Sequence, residues 1–250
     1  MKRSIIIICL ALAIFSCKKK GEDPEPQKIY LTKEIFQSTG TRTWTYDEKN
    51  NLTGVAFASS NESSNPSFSF LVKELDAKGR VTGAVIDYKD AARADLKIRN
   101  VYNSEGKMEY EEETNVSNGA VTSSYTFQYT PTQVTVSYKN GAGVLQFSDV
   151  YTLSSDGNNV VKRERFNSSN VLSFRDVYSG FDDKKSAQSA FVPGFSVAVN
   201  SVNNFTTDTY TNAAGISTVY TYTYEYNSDG YAVKRISASG AVSGYEYIKK

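Results

Sequence analysis

From Ile29 onward the chain alternates with a period of two residues, and turn signals cut that alternation into short, evenly spaced pieces. Tyr125, Phe127 and Tyr129 alternate with Thr126 and Gln128, and Tyr220, Tyr222, Tyr224 and Tyr226 with Thr221, Thr223 and Glu225. Aromatic and β-branched residues at this spacing give a strand one face for an interior and one for water. The turns repeat too. Asp76-Ala77-Lys78-Gly79, Asn103-Ser104-Glu105-Gly106, Ser154-Ser155-Asp156-Gly157 and Asn227-Ser228-Asp229-Gly230 place Asp, Asn or Ser first and Gly fourth. That is the pattern of a type I turn closed by a left-handed glycine. Weaker turns near Pro131 and Asp182-Asp183 continue the rhythm in steps of about 25 residues, each holding two strands and two turns. Opposite-end turns fall at Ser117-Asn118-Gly119, Asn140-Gly141 and Asn167 to Asn170. The expected fold is all-β, a single domain over residues 29–250. It is an up-and-down antiparallel meander of roughly 14–16 strands, strongly curled or closed into a soluble, barrel-like sheet. Only Asp90 to Lys97 and Asp182 to Phe191 are expected as short helices, with Asp182-Asp183 capping the second.

Register follows from the turns. A type I turn with a glycine bulge at Asn103–Gly106 sets Tyr102 opposite Met108, Arg99 opposite Glu111 and Lys97 opposite Glu113. The same rule at Gly79 sets Phe70 opposite Ile86 and Phe68 opposite Tyr88. Glu109, Glu111 and Glu113 then share one solvated face.

The N-terminus reads as an export signal. Lys2 and Arg3 precede the apolar run Ile5 to Phe15, too short to span a bilayer as a helix, and Ser16 closes it. Residues 1–16 are expected to be a signal peptide. Ile14-Phe15-Ser16-Cys17 resembles a bacterial lipobox, which implies Cys17 as the lipidation site. Residues 17–28, charged and Pro-bearing, are expected to be a flexible tether, with Lys18-Lys19-Lys20 beside anionic headgroups. The chain's two cysteines are Cys9 and Cys17, so the mature domain needs no disulfide.

Most chemistry is excluded by composition. There is no histidine, which removes Ser-His-Asp and Cys-His catalysis and histidine-based metal sites. No phosphate loop or GxSxG elbow occurs. Glu225 to Gly230 imitates half of a calcium loop but has Ile236 where the bidentate acid belongs; Asn103 to Glu112 has Glu112 in place but begins with Val101. Neither a metal nor a cofactor is expected. With 28 basic and 27 acidic residues the chain offers no excess charge for nucleic acid. Charges on both faces of Lys107–Asn115 and of Lys162–Arg165 argue against a lipid-facing wall. Arg42, Trp44 and Tyr46, on one side of an early strand, form the candidate binding patch.

Tyr222 to Arg235 looks like the tyrosine-rich hairpins of YD-type repeats. More closely, the chain resembles a family of Bacteroidota lipoproteins of unknown function with a porin-like β fold. The resemblance rests on the lipobox, the hairpin rhythm, Phe181-Asp-Asp-Lys-Lys-Ser186, Asn203-Asn204 and Tyr222–Arg235. It implies an outer-membrane lipoprotein and leaves its activity unassigned. In that family an acidic run after the cysteine goes with surface display; here Lys18–Lys20 precede Glu22-Asp23, so either the periplasmic or the cell-surface face is compatible. The expected function is a non-enzymatic binding or assembly module held to the membrane by its lipid, with a glycan or another envelope protein as partner. Its rivals are a carrier that encloses an apolar ligand in a curled sheet and a carboxylate-dependent glycan hydrolase.

Overall fold

The structure is a computed structural model, and it describes residues 27–190 and 199–250. The expected signal peptide, Cys17 and most of the expected tether lie outside the described residues. Strands β1 (Ile29–Phe36), β2 (Gly40–Tyr46), β3 (Leu52–Ser59), β4 (Phe68–Leu75) and β5 (Val81–Tyr88) form the first turns of a meander. It continues through β6 (Leu96–Tyr102), β7 (Met108–Asn115), β8 (Val121–Tyr129), β9 (Gln133–Asn140), β10 (Leu145–Leu153) and β11 (Val160–Asn167). The last five strands are β12 (Leu172–Lys185), β13 (Asn203–Asn212), β14 (Ser217–Tyr226), β15 (Ala232–Ser237) and β16 (Val242–Lys249). Each strand pairs antiparallel with the next, and β16 returns to β1, from Ile29 opposite Lys249 to Phe36 opposite Ser243, closing a 16-stranded barrel. Both chain ends leave at one rim, the terminal end, where Lys28 and Lys250 exchange backbone hydrogen bonds of 3.0 and 3.1 Å. The opposite rim is the distal end.

The alternation sorts the residues. Leu31, Trp44, Leu52, Val55, Phe70, Val81, Ala84 and Ile98 pack inside one part of the barrel, and Phe127, Val134, Val136, Tyr151 and Val160 inside another. The outward positions include Thr41, Thr43 and Thr45 on β2, Thr207, Thr209 and Thr211 on β13, and Thr221, Thr223 and Glu225 on β14, with Ile35, Leu71, Val177 and Val219 exposed among them. Ion pairs also stand outside: Arg99–Glu112 at 3.5 Å, and Glu164 with Lys162 and Arg175 at 2.7 Å each. A transmembrane barrel needs an apolar outer band, and a charge at mid-depth there costs about 2–4 kcal/mol. This wall instead carries threonine hydroxyls and ion pairs among its exposed side chains.

The described parts of the connection from β12 to β13, residues 186–190 and 199–202, pack at the terminal end. Ala187, in a short 3-10 helix (Ala187–Ala190), joins the first apolar cluster, and Val199 packs on the second. Its arms are tied to the β10–β11 turn by Val202 N–H to Asn158 O (2.9 Å) and Val160 N–H to Ser201 Oγ (3.0 Å).

Several expectations are corrected. Asp90 to Lys97 is not helical: the Asp90 carboxylate accepts the Ala92 N–H at 3.0 Å in a turn, and Leu96 already opens β6. Asp182 to Lys185 belongs to β12, so Asp182-Asp183 is neither a helix cap nor a turn; Phe191 lies outside the described residues. Asp182 instead grips two neighbouring strands, accepting from the Asn204 backbone N–H at 3.2 Å and from the Tyr226 hydroxyl. Gly79 keeps the expected register, with Phe70 opposite Ile86 and Phe68 opposite Tyr88. At Gly106 only Tyr102–Met108 holds: Glu109 is a bulge, so Arg99 meets Glu112, Asn100 meets Glu111 and Ile98 meets Glu113. The slip turns Glu111 and Glu113 inward, because β6 must keep Ile98 and Tyr102 in the barrel and β7 alone absorbs the extra residue.

Candidate functional site

The inner wall is where the unusual chemistry collects. Of the candidate patch, Trp44 is 3% exposed within the core, Arg42 Nη1 donates to Glu34 Oε2 at 2.8 Å, and the Tyr46 hydroxyl donates to Leu31 O at 2.8 Å. The three do share a face of β2, and that face is the interior.

Toward the distal end, half-buried aromatic rings on β8, β9, β10, β12 and β13 form a row, with Arg165 of β11 set between them. Register places Tyr125 opposite Tyr138, and Tyr138 opposite Phe147, with ring centroids 5.0 and 4.8 Å apart. The Arg165 guanidinium continues the row, 3.9 Å from the Phe147 ring and 5.3 Å from Phe174, whose ring lies 5.9 Å from Tyr210. Arg165 is pinned by a two-pronged pair with Asp149, Nε–Oδ1 at 2.8 Å and Nη2–Oδ2 at 2.7 Å, and Arg163 joins the same carboxylate at 2.9 Å. Such forks hold a guanidinium flat and suit it to stacking. Across the mouth, Phe57, Phe68 and Tyr88 repeat the arrangement on β3 to β5 at 5.6 and 6.3 Å. A cavity of about 260 Å³ opens here between Phe36, Arg42, Phe57, Phe68 and the loop residues Thr39 and Asn65.

A second cavity of about 180 Å³ lies deeper, between the β12–β13 connection and the wall of β10 to β16. Tyr151, Tyr178, Tyr224, Tyr245, Phe205 and Arg235 line it. Burial pushes the Tyr151 phenol up to about 12 and raises Tyr178, Tyr224 and Tyr245 as well, so all four are neutral donors at physiological pH. Nearby Asp208 is pushed up to about 6, first by burial and then by Asp176. Glu111 is the extreme case. It is 6% exposed, and burial followed by the neighbouring Glu113 carboxylate pushes it up to about 8. Glu113 is bonded by the Ser123 hydroxyl. Neither glutamate lines either cavity.

Among the described residues no group of three or more Asp, Glu, His or Cys is placed to hold a metal. The calcium-loop lookalike at Glu225 to Gly230 is the β14–β15 turn, with Asn227 Oδ1 accepting the Asp229 and Tyr231 N–H groups at 3.0 Å each.

No protein-family model matches the chain, and no curated protein is significantly similar to it. Among solved structures the chain is similar to a porin-like protein from Bacteroides vulgatus ATCC 8482, with a TM-score of 0.54 at 8% identity, covering 88% of this chain and 99% of that one. A porin-like protein from Bacteroides uniformis ATCC 8492 aligns with a TM-score of 0.42 at 16% identity, over 90% of this chain and 99% of that one. The first likeness concerns the fold: a large antiparallel barrel.

The sequence reading missed Asp149, Arg163, Arg165 and Arg235 as lumenal groups. In sequence they sit among ordinary charged strand residues, and only the barrel's closure tells which charges point inward.

Proposed function

We propose that this protein is a lipid-anchored, non-enzymatic module of the bacterial outer membrane that takes a small amphiphilic ligand into its barrel. The observation that carries the reading is the make-up of the wall: threonine hydroxyls and ion pairs among the exposed side chains outside, aromatic rings and cavities inside. Binding energy is available in the lumen, whereas the outer strands offer Thr and paired charges, so enclosure is favoured over capture on the β surface. The interior also holds the Asp149 and Glu34 ion pairs, which suits a ligand with polar groups better than a plain hydrocarbon. A hydrolase is disfavoured because Glu111 and Glu113 stand apart from both cavities.

Trp44, the chain's one tryptophan, is a built-in reporter in the lumen wall. Titration with N-phenyl-1-naphthylamine should give saturable energy transfer from Trp44 at one probe per chain. Transfer that rises without saturation, or none, would refute a lumenal binding site.

A further inference from the structure

We infer that the deep cavity is a binding site for the carboxylate of a small organic monoacid, with Arg235 as the group that recognises it. This rests on the lumenal reading above and adds the ligand's chemistry.

The argument starts from Arg235. It projects from β15 into the cavity, opposite Tyr224 in the ladder. The other inward guanidiniums are all committed: Arg42 to Glu34, and Arg163 and Arg165 to Asp149. Arg235 forms no ion pair and no hydrogen bond among the described residues; its close contact is the Tyr222 ring, 5.0 Å away. Glu34 and Asp208 feel its charge, yet neither pairs with it. A guanidinium held in a part-closed space without a counter-charge is costly, and its planar fork matches a carboxylate at two points.

The surrounding groups narrow the choice. The Tyr224 hydroxyl already donates to Phe205 O at 2.8 Å, and the Tyr178 phenol feels the negative charges of Asp176 and Asp208. The Asn203 amide donates to Lys184 O at 3.0 Å. Arg235 is thus the uncommitted charged donor of the cavity, and the incoming atom must be an acceptor. One positive charge, with Asp176 and Asp208 close by, matches a monoanion better than a phosphate dianion. Tyr151, Val160, Val199 and Phe205 supply the apolar and aromatic walls for the body of the acid.

Isothermal titration of the full chain with benzoate and with benzamide tests this. The wild type should prefer benzoate by tenfold or more. Arg235→Gln should bind the two alike, with benzamide affinity unchanged, and Arg235→Lys, which keeps the charge but loses the fork, should fall between. Equal affinities in the wild type, or a preference that survives Arg235→Gln, would overturn the assignment. If neither compound binds while N-phenyl-1-naphthylamine still saturates, the carboxylate assignment fails and the lumenal reading stands. If the naphthylamine fails as well, both fall.

Discussion

Glu111 is a carboxyl group placed where an ionised carboxylate is hardest to keep. In the unfolded chain it loses its proton near pH 4.5, whereas in the barrel it holds the proton to about pH 8. Between those values the folded state binds more protons than the unfolded one, so stability falls as pH rises through this window and levels off above it. The expected loss by pH 9 is on the order of 2–4 kcal/mol, after relaxation of the site. Glu111→Gln should leave stability at pH 4 nearly unchanged and flatten its decline toward pH 9, as read from urea unfolding across that range. Parallel pH curves for the two proteins would mean that Glu111 is ionised and compensated. The residue's position was half legible. Alternation put Glu111 and Glu113 on one face, but an unbroken count carried that face outside, because a bulge at Glu109 leaves no mark in a run of glutamates. Arg42, Trp44 and Tyr46 are the converse: their common face was legible, and only the closed sheet makes it the inner one.

At the scale of the hairpin, one unit recurs along the terminal end. The ladder slips by one residue just after the turn in β3, β5, β7, β11 and β15, as where Tyr46 meets Leu52 but Thr45 meets Gly54. In β5, β7 and β15 pairing with the following strand stops short of this point, and a tyrosine hydroxyl takes the backbone carbonyl there. Tyr102 donates to Val81 O at 2.8 Å, Tyr129 to Met108 O at 2.7 Å and Tyr247 to Ala232 O at 2.6 Å; Tyr46 does the same for Leu31 beside a slip in β1. Tyr129→Phe therefore removes one hydroxyl and strands a part-buried carbonyl, at an expected cost of about 1–3 kcal/mol in denaturant midpoint experiments. A cost near zero would show that water reaches that carbonyl. The turn itself is as specific. Gly106 has φ +84°, and a Cβ there would stand 2.9 Å from Arg80 Nη1, whose guanidinium lies over the Tyr102 ring at 4.2 Å. Gly106→Val should cost more than the roughly 1–2 kcal/mol of the left-handed conformation alone, whereas Ser104→Ala should cost little. The turns were legible because Asp/Asn and Gly mark them chemically, and at Asn50 and Asn170 asparagine takes the glycine's place with φ of 66° and 60°. The tyrosine-to-carbonyl bonds were not, since each joins residues 15 or 21 positions apart that only strand pairing brings together.

For the whole molecule, closure decides both what the barrel hides and how it stands. The hairpin rhythm made a sheet of about this many strands legible. The pairing of β1 with β16 was not, because it joins the two ends of the sequence and no local signal marks it. That pairing brings Lys28 and Lys250 together at the terminal end, the rim where Ala187 and Val199 pack inward, and leaves the aromatic mouth at the other. If Cys17 carries a lipid, the membrane lies beyond the terminal rim and the mouth points away from it. Strands of about eight residues at ~3.3 Å each, tilted by about 40°, separate the rims by roughly 20 Å. That distance is large enough for energy transfer to resolve. The domain beyond Cys17 has no other cysteine, so a single fluorophore can be attached at Ala77→Cys, in the β4–β5 turn of the terminal end, or at Ala213→Cys, in the β13–β14 turn of the distal end. With the lipidated protein on vesicles that hold an acceptor dye, transfer should be clearly stronger from position 77 than from 213. Adding Cys17→Ala should abolish transfer from both and move the protein into the soluble fraction after a high-salt wash. Equal transfer from the two positions would mean that the anchor does not orient the mouth. Membrane retention of the Cys17→Ala protein would mean that the barrel wall itself, against its polarity, holds the bilayer.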